Sequence, residues 1–444
     1  MKRALIVAGA LATPVVLLAV GLVARQRALD RLAHPAAANG PAITPSTGAA
    51  TEDQPGFLYG RVTADGGVTY EGRLRWGGDE EAFWGDYFNG VKDENPWVAE
   101  VAPERLPKER SSFKVFGLEI AQRETQKDLG RRFMARFGDI ARIEPHGGKV
   151  SVTLKSGTEF DLDRLSASDF DDGVRVWDAT RGIVDLDSLR IRSIELLPTA
   201  RLSETPDRLH GTVRTRMGDF TGFVKWNREK CVGDDKLVGQ STDGELSLRF
   251  DTVRSIARRS RDSALVTLLD GRETVLSDTS DVGHHNRGIY VDDRRCGRVL
   301  ISWDAFERLD FSDGGSGPAY GDFPPGRALR GRVTTRDGRR LAGRVVYDLD
   351  ESETTETFDA PTRGVDFTIP FGLVASITPP GRDERGDQRA RVTLQNGEEL
   401  QLERAGDLGD GNAGMLIFVD GSQRPEYVPW TDVQQVEFDR APPE

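Results

Sequence analysis

Three stretches of this chain read nearly as one: VTLKSGTEFDL at 152–162, VTLLDGRETVL at 266–276 and VTLQNGEELQL at 392–402. Val and Leu two places apart point to one side of an extended chain, and the Thr between them points to the other. The turn pairs are Ser156-Gly157, Asp270-Gly271 and Asn396-Gly397. Asp-Gly and Asn-Gly favour the left-handed turn that joins twisted antiparallel strands. Each stretch therefore predicts a β-hairpin. Leu154, Leu268 and Leu394 face a core, while Glu159, Glu273 and Glu399 stay solvated or pair across strands. A whole hairpin signature that recurs makes the chain a set of internal repeats.

A second pattern precedes each hairpin. Gly60, Val62, Gly67, Gly72, Leu74 and Trp76 correspond to Gly211, Val213, Gly218, Gly222, Val224 and Trp226, then to Gly331, Val333, Gly338, Gly343, Val345 and Tyr347. Trp76, Trp226 and Tyr347 share a strand face with Leu74, Val224 and Val345, which reads as core rather than as an exposed aromatic platform. This half closes on a spaced apolar triad: Phe137, Ile140, Ile143; Phe250, Val253, Ile256; Phe371, Val374, Ile377. The later half closes in the same way, on Trp303, Phe306 and Leu309 and on Trp430, Val433 and Val436, with Ile191, Ile194 and Leu196 in the first copy. The three-residue step predicts a one-turn 3₁₀ connection before a closing strand. Each module is thus two related halves.

Short strands with a tight last turn, carried here by DGGVTYEGRLRW (65–76), RDGRRLAGRVVY (336–347) and the closing triads, resemble the SH3-like or Sm-like small β-barrels. The resemblance covers most of 57–438 and implies an all-β chain of three tandem modules, each of two small barrels. The residues with which Sm-type proteins bind RNA are not recognisable, so that function does not carry over. The expected modules are 57–198, 209–312 and 329–438. The Gly/Pro-rich segment 313–328 and residues 201–208 read as linkers. Module one carries an insertion over 81–136, where Leu129, Phe133 and Phe137 have helical spacing.

The amino terminus differs in kind. Met1-Lys2-Arg3 precedes an uncharged run from Ala4 to Ala24, long enough to cross a hydrocarbon core as a helix. Residues 1–24 therefore read as a transmembrane anchor or a signal segment. Ala36-Ala37-Ala38 is an alternative cleavage region. Residues 25–56, rich in Ala, Pro, Gly and Thr, read as a disordered spacer. The expected location is the cell envelope, anchored by a single pass or released to the periplasm or exterior.

A net charge of −12, with Arg interleaved among Asp and Glu, leaves no basic stripe for a phosphate backbone and argues against nucleic acid as partner. Cys231 and Cys296, the two cysteines, are expected to form a disulfide within module two, since export favours oxidation. Five histidines, among them the adjacent His284 and His285, lack zinc spacing, and no nucleophile or phosphate-loop motif occurs. The chain reads as non-enzymatic and without a cofactor. Binding candidates are Glu80 and Asp86, matched by Glu229 and Asp235 but not by a third pair, because module three has Glu351 followed by Thr357 and Pro361. Trp84 and Trp97, unmatched elsewhere, are candidate surface contacts. The expected function is a scaffold presenting β modules to a protein partner. The alternatives are a polysaccharide-binding protein and an enzyme with a site between modules.

Overall fold

The computed structural model describes residues 54–440 apart from 78, 107, 116–117, 127–130, 201, 203–204, 381–388 and 423. The run Ala4–Ala24 and residues 25–53 lie outside the described residues. Among the described residues no helix is long and apolar enough to cross a membrane.

The chain is all-β. Module one contains β1 (Tyr59–Ala64), β2 (Thr69–Trp76), β3 (Tyr87–Lys92), β4 (Lys108–Val115), β5 (Leu118–Gln126), β6 (Arg131–Arg136), β7 (Ile140–His146), β8 (Lys149–Leu154), β9 (Glu159–Asp163), β10 (Val174–Asp178), β11 (Gly182–Leu186) and β12 (Ile191–Leu196). Module two contains β13 (His210–Thr215), β14 (Gly218–Lys225), β15 (Lys236–Ser241), β16 (Gly244–Arg249), β17 (Val253–Arg258), β18 (Ser263–Leu268), β19 (Glu273–Ser277), β20 (Ile289–Asp293), β21 (Gly297–Ile301) and β22 (Phe306–Phe311). Module three contains β23 (Arg330–Thr335), β24 (Arg340–Val346), β25 (Thr357–Ala360), β26 (Val365–Pro370), β27 (Val374–Thr378), β28 (Ala390–Leu394), β29 (Glu399–Leu402), β30 (Met415–Val419), β31 (Glu426–Val428) and β32 (Val433–Phe438).

The strand order in module one is β11-β10-β2-β1-β12-β7-β8-β9-β3-β6. Its centre is the pair of closing strands, β12 and β7, joined through Ile194↔Ile143. Outward from that pair the order is the same on both sides. The opening hairpin of one half continues into the third and fourth strands of the other. The strand order is thus pseudo-symmetric about β12 and β7, with each opening hairpin set beside a later hairpin from the other side of the repeat. Module two repeats this order as β16-β15-β19-β18-β17-β22-β13-β14-β20-β21. Every sheet is open at both ends rather than closed on itself.

Module three departs from the pattern. Its β25–β26 hairpin leaves its own sheet, and β26 pairs with β21 of module two through Arg298↔Thr368, Val299↔Phe367, Leu300↔Asp366 and Ile301↔Val365. One apolar cluster consequently runs from Leu209 to Phe438 across both modules. Residues 51–444 form a single compact unit.

The three quoted hairpins form as read. Gly157, Gly271 and Gly397 sit at φ 87°, 87° and 89°, in the left-handed region open to glycine. Each donates its N–H to the carbonyl of the preceding Leu154, Leu268 or Leu394. Leu154 and Leu394 are buried, and Leu268 is half-buried. The 3₁₀ turns appear at Phe137–Asp139, Ser188–Arg190, Phe250–Thr252, Phe371–Leu373 and Trp430–Asp432, whereas the one expected at Trp303 is a plain turn. Trp76, Trp226 and Tyr347 are fully buried.

Two expectations fail. The helical spacing expected at Leu129, Phe133 and Phe137 is not a helix where it is described: Phe133 lies on β6, where it and Ala135 alternate inward against β3, Phe137 opens a 3₁₀ turn, and Leu129 lies outside the described residues. The segment 313–328, read as a linker, is a packed seam. Ser316 and Phe323 are buried, Gly56 N–H donates to Ser316 Oγ at 3.0 Å, and the Tyr320 hydroxyl donates to the Ile140 carbonyl at 2.8 Å.

Candidate functional site

The acidic residues taken as binding candidates serve the turn after the core aromatic. Trp76 N–H donates to the Glu80 carbonyl, Trp226 N–H to Lys230 and Tyr347 N–H to Glu351, each four residues on. A carboxylate then closes the loop by accepting two backbone N–H groups. Asp86 accepts from Glu81 and Ala82 at 2.8 and 2.9 Å, and Asp235 accepts from Cys231 and Val232 at 2.8 and 3.1 Å. Glu356 accepts from Ser352 and Glu353 at 2.6 and 3.0 Å. The expectation that module three lacks this feature is therefore corrected, since the longer Glu356 takes the place of Asp. The counterpart of Glu80 is Lys230, not Glu229. Glu229 lies one place out of register, exposed and paired with Arg287 at 2.7 Å.

A second carboxylate ties each core aromatic to its sheet. Asp169, Asp281 and Asp407 accept the backbone N–H of Asn89, Val238 and Asp359 at 2.8, 2.8 and 2.6 Å. Their own carbonyls accept from Trp76 Nε1, from Trp226 Nε1 at 2.9 Å and from the Tyr347 hydroxyl at 2.8 Å. The signal for these residues is ASDF, TSDV and AGDL, an Asp before the buried Phe170, Val282 or Leu408.

The remaining charges lie where modules meet. Between modules one and two, Lys225 Nζ is 2.6 Å from Asp86 and 3.7 Å from Glu80, and Arg75, paired with Glu81 of its own module at 2.9 Å, reaches Asp235 at 3.9 Å. Burial pushes the Asp86 carboxyl up, but Lys225 and Arg208 outweigh it and hold that carboxyl below its usual range. Trp84 is no surface contact. It is 9% exposed, its Nε1 donates to the Asp292 carbonyl at 3.2 Å, and its carbonyl accepts from Arg208.

Strands β3 and β6 of module one and the stretch between them clamp module three. The insertion expected over 81–136 is thereby corrected to that intervening stretch, because β3 and β6 hold the sheet positions of β15 and β16. Lys92 pairs with Asp350 and Glu356 at 2.7 and 2.5 Å, and Arg131 pairs with Asp350 at 2.7 Å. Val101 and Leu106 join Val346, Leu349, Leu416 and Tyr427 in one apolar cluster. Trp97 stands edge-on to Phe418 at 6.0 Å, with the Arg344 guanidinium over both rings.

Beside this clamp opens a cleft of about 370 Å³, lined by Lys92, Trp97, Arg131, Phe160 and Asp350 among others. Of the candidates from the sequence, Trp97 alone reaches it. Its half-buried ring and Phe160 give two aromatic surfaces, and Glu94, Glu159 and Asp161 give an acidic rim. Lys92 and Arg131 are already occupied by Asp350. A flat polar ring fits that combination better than a free anion does.

The disulfide expected between Cys231 and Cys296 is not formed, and both are buried free thiols. Cys231 packs with Phe57 and Val232 at the seam with module one, where its Sγ donates to the Asp79 carbonyl at 3.4 Å. Cys296 belongs to the cluster shared by modules two and three. Burial pushes the Cys296 thiol up to about 12, which removes its reactivity. His284 stacks on His285 at 3.8 Å beside Asp262. Among the described residues no group of three or more His, Cys, Asp or Glu side chains is placed to hold a metal ion. Compared with known proteins, the chain matches no family model, no curated protein and no solved structure.

Proposed function

We propose that this chain is a non-catalytic scaffold of the cell envelope that receives a protein partner on the open edges of its sheets. Each module is read as a pair of SH3-like or Sm-like half-barrels that have exchanged hairpins. Five strands per half with a single turn before the fifth support that reading. The observation that carries the function is the joint between β21 and β26, where an edge strand of one module docks on an edge strand of another. Edges of the same kind stay open at β11 and β16. An unpaired edge offers a row of N–H and C=O groups, which is how β-augmentation binds an extended segment. The charge-flanked run Ala4–Ala24 supports the envelope as the location.

The test places a photo-crosslinking residue at Ile183, exposed on β11, in the full chain in cells. One discrete protein should be captured from the membrane fraction. Capture should be lost when Val184→Pro spoils the strand and be absent when the label sits at Leu165, exposed but off the edge. Recovery of the intact chain in the cytosol, or equal capture from both positions, would overturn the proposal.

The cleft beside Trp97 and Phe160 favours a second reading, polysaccharide binding. Retarded migration of the protein in gels containing a polysaccharide, abolished by Trp97→Ala, would establish that reading instead.

A further inference from the structure

We infer that the outer edge of β16 is the docking surface for a second copy of this chain, paired antiparallel about Ser247. The inference rests on the reading of sheet edges as docking surfaces and gives one of them a specific occupant.

β16 is the end strand of the 12-stranded sheet, and its inner side is paired with β15 from Lys236↔Arg249 to Ser241↔Gly244 without a register shift. Residues on an antiparallel strand alternate between bonding inward and bonding outward. The two-residue turn Thr242–Asp243 makes Ser241 and Gly244 the closing bonded pair, so Gly244, Leu246 and Leu248 bond inward. Glu245 and Ser247 turn their N–H and C=O outward, as does the N–H of Arg249, whose carbonyl accepts from Thr252 Oγ1 at 2.6 Å. Their side chains are exposed, whereas Leu246 and Leu248 are half-buried against the module core.

The sequence GELSLR (244–249) is self-complementary under a two-fold axis through Ser247. Antiparallel pairing sets Glu245 opposite Arg249 of the second copy, Ser247 opposite Ser247, and Leu246 opposite Leu248. The outward-bonding set meets itself, so the hydrogen-bond phase and the side-chain faces agree in one register. Opposite charges meet at both ends of the strand, a favourable cross-strand arrangement, in which Arg249, paired with Asp251 at 2.5 Å within its own chain, is shared between two carboxylates. The usual protections of an edge are missing: β16 has no proline, no inward charge and no bulge. β11, with the sequence GIVDL, places Ile183 against Asp185 in the same operation and has no such complement.

The chain already uses this strand position once. β16 and β26 are repeat equivalents, each running into the Phe of its triad, Phe250 or Phe371. β26 is covered by β21. The outer side of its equivalent in module two, β16, has no strand partner among the described residues.

The test uses the full chain in mild detergent. Sedimentation should give twice the mass of one chain. Glu245→Arg and Arg249→Glu should each lower the dimer fraction at least tenfold, and the double exchange should restore it. Ser247→Cys should link two chains under mild oxidation. Glu245→Cys should not do so alone, because two copies of residue 245 lie roughly 13 Å apart along the strands; it should do so when mixed with Arg249→Cys chains. A monomer at all concentrations, a double exchange no better than the single ones, or growth into species larger than two chains would each overturn the inference. Monomeric chain that still captures a partner at Ile183 would leave the scaffold proposal standing.

Discussion

Truncating Leu394 tests whether the modules are energetically one body. Leu394 is 1% exposed on β28 and belongs to the apolar cluster that continues through β21 and β26 into module two. Leu394→Ala removes buried apolar surface and leaves a cavity, at a cost of about 2–5 kcal/mol. The site is fully enclosed, which points to the upper half of that range. The equivalent Leu268 is half-buried, so its truncation should cost about half as much. Gln395, one residue on, donates from Nε2 to the Val374 carbonyl at 2.9 Å, and its truncation should cost about 1 kcal/mol. The assay is hydrogen exchange read by peptide mass in Leu394→Ala, alongside guanidinium unfolding. Because β26 is stitched to β21, residues 289–301 of module two should lose protection together with 365–370 and 390–402. Denaturation should remain one transition. Loss confined to 329–438, with 209–312 unchanged, would refute the shared core and restore the linkers as true separators.

At the seam of modules one and two, Lys225→Met should destabilise by about 3–5 kcal/mol because Asp86 is left buried without its cation, and adding Asp86→Asn should recover part of that loss in thermal melts. Burial, with Asp350 and Asp407 nearby, holds the Glu351 carboxyl well above its usual range. A raised folded-state carboxyl loses stability as pH climbs above the unfolded value of about 4.3. Glu351→Gln should therefore gain on the wild type between pH 4 and pH 8, and identical pH slopes would count against it. Both Cys231 and Cys296 should take up a thiol label in unfolded, unreduced protein, and neither should do so in the native state.

What the sequence discloses here follows from how local each feature is. The hairpins at 152–162, 266–276 and 392–402 were legible because their glycine, their alternation and their turn lie within eleven residues. The core role of Trp76, Trp226 and Tyr347 was legible for the same reason. The partner of β26 was not, since nothing in VDFTIP distinguishes a strand that returns to its own sheet from one that leaves. Glu356 escaped because Asp became Glu and the loop in module one is one residue longer. Cys231 and Cys296 misled because they fall in one module by sequence, while Cys231 faces module one and Cys296 faces module three. Helical spacing at Phe133 and Phe137 came from a strand residue and a 3₁₀ residue that happen to stand four apart.

The position four residues after each core aromatic shows what separates the copies. Its backbone does the same work in all three, accepting from Trp76, Trp226 or Tyr347. Its side chain does not. Glu80 faces Lys225 of the next module, Lys230 pairs with Asp281 of its own module at 2.7 Å, and Glu351 lies among Asp350 and Asp407 with Lys92 of module one as its cation. Backbone geometry is therefore held constant while the side chain meets a different neighbour in each copy, opposite charges at Glu80 and Lys230 and mainly carboxylates at Glu351. Exchanging modules one and two would move Lys225 along with Lys230 and set Lys230 opposite Arg75, the residue before Trp76 as Lys225 is before Trp226, and like charges in a buried seam are costly. The same residues that make the modules look interchangeable in sequence thus fix their order in space. The three repeats pack as distinct parts of one compact unit.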